Sequence, residues 1–156
     1  MNLFHSYGTL GFLTSVTVKI VPYQPYLRLT YRPCFSLKES MEVFSRETNK
    51  ARGNDSVEGI AFSKDTSVIM TGQFVNADEV ERDKLNRIGL WYKPWFYQHA
   101  KTFLGKGETV EYVPTLHFHQ RHNKGCFWLA HLYLPWADGP VARLLTGYQT
   151  LTISFT

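Results

Sequence analysis

Cysteine is scarce in this 156-residue chain: Cys34 and Cys126 are all it has. They could pair only once, and two free thiols in a reducing compartment is the simpler reading. No run of about 18 apolar residues exists, so nothing in the sequence reads as a membrane-spanning helix. Met1–Leu10 lacks the basic start and apolar centre of a signal peptide. The net charge of +4 is modest and spread along the chain. No lysine–arginine cluster is interleaved with stacking aromatics, which argues against nucleic-acid binding. Repeats and low-complexity segments are missing too. There is no Gly-x-Ser-x-Gly elbow and no cysteine in a nucleophile's setting, so triad chemistry is set aside. What remains is one domain, or one domain and part of another. The 44% hydrophobic content is ample for a core, and a chain of this size buries roughly two-thirds of its surface.

What the chain has in excess is aromatic rings, 15% of its residues. The stretch Gly89-Leu-Trp-Tyr-Lys-Pro-Trp-Phe-Tyr-Gln-His99 places five of them, with a lysine and a histidine, within eleven residues. Pro94 suits the first position of a helix, where its missing N–H costs nothing. Trp95, Phe96, His99, Ala100, Phe103 and Leu104 then recur at the spacing of one wide apolar stripe, on a helix of about three turns that stops near Gly105. The plain reading is that these rings are core. The sharper one is that some of them wall a pocket for a large, flat, apolar ligand.

Upstream, Ser6-Tyr7-Gly8-Thr9-Leu10-Gly11-Phe12 packs two glycines three apart. Such a turn exposes backbone N–H groups and lets a ligand approach the main chain, although ordinary tight turns look the same. Val16, Val18 and Ile20 alternate with Thr17 and Lys19, which predicts a strand ended by Pro22 and Pro25. Tyr26–Tyr31 alternates again. Ser36 and Glu39 have capping-box spacing, and Leu37, Met41, Val43 and Phe44 predict a helix running out near Asn49. Lys50–Asp55 reads as a flexible polar loop. Val57–Phe62 and Ser67–Phe74 read as a hairpin, and Asn76–Arg87 as a solvated helix or linker. Thr109–Val113 is a short strand, Cys126–Leu134 an apolar segment and Val141–Leu145 a short helix. The order predicts an α+β domain, with helices packed on an antiparallel sheet.

Few constellations carry chemistry. On a strand His117 and His119 would share a face, with His122 as a third ligand, which is the zinc reading. No nearby carboxylate or thiol except Cys126 completes it, so no metal is expected. Glu58 interrupts the apolar run Val57–Phe62. It is either on the wet face of an edge strand or a buried acid.

Two sets of motifs resemble a known family. Ser6–Phe12 followed by a strand resembles the flavin-contacting turn of FAD-linked oxidases with the vanillyl-alcohol-oxidase-type fold. Val57-Glu58-Gly59, Val68–Gly72, Gly89–His99, Glu111–Thr115, Arg121-His122 and Phe127-Trp128 resemble the Δ24-sterol reductases, in register from about Ser6 to about Gly147. The family usually has arginine at Leu116, histidine at Gln120 and an acid at Leu129, so the 116–129 stretch departs from it. The resemblance implies an internal fragment of a longer protein. Residues 1–22 would close a PCMH-type FAD-binding domain, 23–148 would form part of the α+β substrate or cap domain, and 149–156 would be a tail foreign to the family.

The implied activity is reduction of the C24–C25 side-chain double bond of a sterol, with electrons passing from NADPH through FAD. It belongs to the full-length enzyme at the endoplasmic reticulum membrane, anchored by segments absent from this chain, and the fragment alone would be inactive. Gly8, Thr9, Leu10 and Gly11 would touch the flavin. Trp91, Trp95 and Phe96, with Tyr92, would wall the substrate pocket. Tyr92, His122 and Glu58 are the candidates for the acid that protonates the alkene. Two other readings stay open: another FAD-linked oxidase or dehydrogenase of the same fold, and a non-catalytic module that binds an apolar ligand.

Overall fold

The computed structural model describes residues 14–90 and 92–122. Its frame is one antiparallel sheet of four strands, β1 (Tyr26–Cys34), β2 (Ser56–Ala61), β3 (Ser67–Val75) and β4 (Thr109–Pro114). They lie in the order β2-β3-β1-β4. The register pairs Leu29 with Gly72 on one side and with Glu111 on the other, and Glu58 with Met70. Period-2 alternation gives the sheet two faces. One carries Leu27, Leu29, Tyr31, Val68, Met70 and Val113. The other carries Cys34, Ile69 and Val57.

Helix α1 (Leu37–Glu47) forms where the capping residues ask for it. Ser36 Oγ accepts from the Glu39 N–H at 3.1 Å, and the Glu39 carboxylate accepts from the Phe35 N–H at 2.9 Å. It lies on the second face, where Val43 packs with Cys34 and Ile69. The first face is covered by α2 (Phe96–Lys101), its 3₁₀ extension Thr102–Gly105, and α3 (Thr115–Gln120). Phe96, Ala100, Phe103 and Phe118 close on the β1 and β3 residues there to form the main core. Tyr31 and Phe103 stack with centroids 4.0 Å apart. Each large apolar side chain buried this way contributes about 1.5–3 kcal/mol. The sheet therefore has helices on both faces.

The α+β expectation holds, and β1, α1, the β2–β3 hairpin and β4 fall where the pattern predicts them. Three details differ. Residues 14–25 form no strand, and Val16, Val18 and Ile20 are exposed. Alternation alone does not make a strand: this segment pairs with neither edge of the sheet, and no ladder partner for it exists among the described residues. Pro94 does not open α2. Trp95 is the N-cap, and the remaining turns tighten into the 3₁₀ extension. Residues 115–120 are helical rather than extended. Thr115 anchors that turn through its Oγ1, which donates to the Gln24 carbonyl at 2.6 Å, and its N–H, which donates to the Pro25 carbonyl at 2.9 Å.

Candidate functional site

The first face of the sheet is apolar except for two clusters of ionisable groups. Glu58 leaves β2 on this face, and Arg121 and His122, just past the end of α3, come down onto it. Arg121 donates to Glu58 Oε2 from Nη2 at 2.5 Å and from Nε at 3.1 Å, and to the Phe118 carbonyl at 2.6 Å. Its guanidinium lies 3.7 Å from the Phe118 ring centroid and 5.5 Å from that of Phe96. His122 Nε2 meets the other oxygen, Glu58 Oε1, at 2.5 Å. The His122 ring stands edge-to-face on Phe96, centroids 5.5 Å apart. Arg121 and Glu58 are largely covered, with 12% and 24% of their side chains exposed, while His122 keeps 39%. A carboxylate so held has both oxygens engaged by cationic or protonatable donors, the arrangement that keeps a proton at a defined place between two heavy atoms.

The second cluster sits across the sheet on β4. Glu111 Oε2 meets His99 Nε2 at 2.8 Å and accepts from Asn86 Nδ2 at 3.1 Å. Burial alone would raise the Glu111 carboxyl. The hydrogen bond and charge of His99, with the bond from Asn86 and the nearby Tyr31 hydroxyl, outweigh it and hold the group below the ordinary carboxylate range. Tyr31 Oη makes no hydrogen bond of ordinary geometry among the described residues. It lies near enough to Glu111 that burial first, and that charge second, push its phenol well up.

The residues singled out from sequence are distributed unevenly. Glu58, His122 and Phe96 converge on one spot. Trp95 is buried, 5% exposed, with its ring 6.3 Å from that of Tyr97. Tyr92 is exposed on the loop before α2. Gly8, Thr9, Leu10, Gly11 and Trp91 lie outside the described residues. The strand geometry behind the zinc reading is replaced by a helix. There His117 Nδ1 accepts from the Gly89 N–H at 3.1 Å and His119 lies beside Phe74. Among the described residues no group of three or more histidine, cysteine or acidic side chains could hold a metal.

Similarity to known proteins bears on this arrangement. The Delta(24)-sterol reductase of mouse is 40% identical to the chain over 145 residues, which cover 92% of this chain and 28% of the mouse protein. That of pea is 38% identical over 154 residues, 92% of this chain and 27% of its own length. The Delta(24)-sterol reductase homolog of Caenorhabditis elegans is 34% identical over 146 residues, 92% and 28% respectively. The chain is a homologue of the Delta(24)-sterol reductases. It spans less than a third of the length of these curated relatives. No family model and no solved structure matches it.

Three of the segments singled out by resemblance contribute to the first face. Val57–Gly59 supplies Glu58, Glu111–Thr115 supplies Glu111 and the start of α3, and Arg121-His122 closes the first cluster. Sequence reasoning missed Arg121 as a partner of Glu58, although it adjoins His122. It also passed over Glu111, which shares the buried parity of Val113 on β4, and over His99, a polar group on the apolar stripe. Those mismatches between polarity and periodicity were the available signal. No helix among the described residues is long and apolar enough to cross a membrane.

Proposed function

We propose that this chain is a segment of an FAD-dependent Delta(24)-sterol reductase, an oxidoreductase that reduces the C24–C25 double bond of a sterol side chain with NADPH as electron donor. The observation that carries the reading is the convergence of Glu58, Arg121 and His122 beside Phe96, built from segments similar to the sterol reductases. In this reading the longer protein is the one at the endoplasmic reticulum membrane.

Reducing an isolated alkene breaks its π bond and adds one proton and one hydride. Such an alkene is a poor hydride acceptor, so protonation leads and leaves positive character on the more substituted carbon. The first cluster suits the proton's half of the task. Arg121 fixes one carboxylate oxygen of Glu58, and the other orients the His122 ring. His122 is the most exposed of the three and is the donor to substrate in this reading. Glu58 is its orienting partner. The Phe96 ring beside them favours nearby positive charge by about 0.5–2 kcal/mol. General acids of this kind typically accelerate a reaction by about 100- to 10,000-fold.

The described residues form no flavin cradle. Gly53 and Gly107, which have positive φ, stand in separate turns with nothing within 4 Å of where a Cβ would be. The cofactor therefore enters no step above.

A hybrid tests the reading. Residues 6–147 replace the matching segment of the mouse relative, and reduction of a Δ24 sterol is measured with NADPH. The hybrid should turn over. His122→Ala within it should lower turnover by about 100-fold or more while leaving flavin content unchanged. An active hybrid indifferent to His122 removes that residue from the chemistry, and an inactive hybrid with full flavin content argues against the reductase reading.

A further inference from the structure

The other face of the sheet holds a feature the reaction chemistry does not use. Between α1 and the β2–β3 hairpin runs an open groove of about 570 Å³, within the usual size range of small-molecule sites. Its walls are Leu37, Met41, Phe44, Val57, Ala61 and Ile69. Leu37 and Met41 are 58% and 64% exposed, and Phe44 39%. At 37, 41 and 44 they form the stripe of α1 that borders the groove, while Val43 makes the helix's core contact. Polar groups gather at the hairpin end, where Lys64 and Asp65 join the hydroxyls of Ser40, Ser63, Thr66 and Ser67, while Ser45 and Glu58 border the groove elsewhere. Ser40 Oγ and Ser67 Oγ are 2.6 Å apart, and Ser63 Oγ and Thr66 Oγ1 2.7 Å. Ser40 Oγ donates to the Ser36 carbonyl at 2.8 Å, so the proton between the two serines comes from Ser67 and its oxygen keeps a lone pair. Gly59 keeps the floor low: a Cβ there would stand 3.0 Å from Ile69 Cδ1 and 3.8 Å from Phe44 Cδ2.

We propose that this groove seats the body of a sterol, with its single hydroxyl among the Ser40, Ser67, Ser63 and Thr66 hydroxyls. The inference rests on the reading above, in which the substrate is a sterol, and adds where that substrate is held. The match is chemical. A sterol is a long rigid hydrocarbon with one hydroxyl at one end, and the groove has apolar walls with hydroxyls and the Lys64–Asp65 turn at one end. From Ala61, which pairs with Ser67, to Val57 is four residues of β2, about 14 Å at roughly 3.4 Å per residue. That run holds the ring system and the first carbons of the alkyl tail, and leaves the rest of the tail to emerge at the Val57 end. It emerges there beside β2, the edge strand whose Glu58 points to the opposite face.

Titrating the whole chain with the fluorescent sterol dehydroergosterol tests the proposal. Saturable binding is expected. Met41→Arg, at an exposed position that leaves the fold intact by circular dichroism, should weaken it tenfold or more, because a charge would have to lose water against hydrocarbon. Ser40→Ala should weaken it about fivefold, the worth of one hydrogen bond. Cholesterol should displace the probe better than cholestane, which lacks the hydroxyl, and Ser40→Ala should narrow that difference. No saturable binding, or binding indifferent to Met41→Arg, overturns the proposal. So does a Met41→Arg variant that binds normally but falls from dimer to monomer by light scattering, since the occupant would then be a second copy. Binding to the chain is read without turnover, so failure of the sterol seat and failure of the reductase reading are separately visible.

Discussion

Gly72 sits where β3 passes beneath Leu27, one of the most buried side chains of the molecule. A Cβ at that position would lie 2.8 Å from Leu27 Cδ2 and 3.2 Å from its Cγ. Gly72→Ala should therefore destabilise the fold by about 1–3 kcal/mol through overpacking, measured by urea denaturation. A Leu27→Val partner change should recover part of that loss. Glu111 makes a second residue-scale prediction. Its folded pKa is depressed, so the stability it contributes is complete above the ordinary carboxylate range and is lost as pH falls through the folded value. Glu111→Ala should cost about 1–3 kcal/mol at neutral pH, because His99 and Asn86 would lose the acceptor they share. Glu111→Gln should flatten the acid limb of the stability profile. Neither Glu111 nor its partner His99 stood out in the sequence. Their meaning depends on β4 and α2 meeting across the sheet, which spacing along either element does not encode.

Elements were more legible than residues. Local chemistry defines α1 almost alone, because the Ser36 cap and the Glu39 carboxylate satisfy backbone donors at its first turn. Ser36→Ala should destabilise the chain by about 1 kcal/mol, seen as a lowered thermal midpoint, with the sheet signal otherwise unchanged. The strands follow from Leu27, Leu29 and Tyr31, and from the Val57 and Val68 runs, whose alternation coincides with real pairing. Where the same alternation lacks a partner, at Val16–Ile20, no strand forms, since half of a strand's hydrogen bonds belong to its neighbour. At 115–120 the error has a different origin. Thr115 is tied to Gln24 and Pro25, a contact between segments 90 residues apart, and that tie turns the chain into a helix at the end of β4. The aromatic stripe was read correctly as an amphipathic surface, yet its N-terminus moved from Pro94 to Phe96 because Trp95 takes an extended cap conformation.

At the scale of the whole molecule, the order β2-β3-β1-β4 brings both ionisable clusters to one face and leaves α1 alone on the other. Composition pointed to an apolar ligand through the rings near Trp95. The described structure places Trp95 and Phe96 among core side chains and opens its large apolar groove on the α1 side instead. Glu58 and His122 were singled out separately, 64 residues apart in the chain, and the fold joins them. Turnover of the hybrid with the mouse relative should therefore fall when Glu58 is replaced by Gln, with flavin content unchanged, because the His122 ring would lose the carboxylate that orients it.

The edge strand β2 separates these two regions: its even-numbered Glu58 and Ile60 face one of them, while Val57, Gly59 and Ala61 face the other. The sheet acts as a party wall between an acid–base room and a greasy one. For a change anywhere in β2, whether the residue number is odd or even then says on which side of the wall the damage falls.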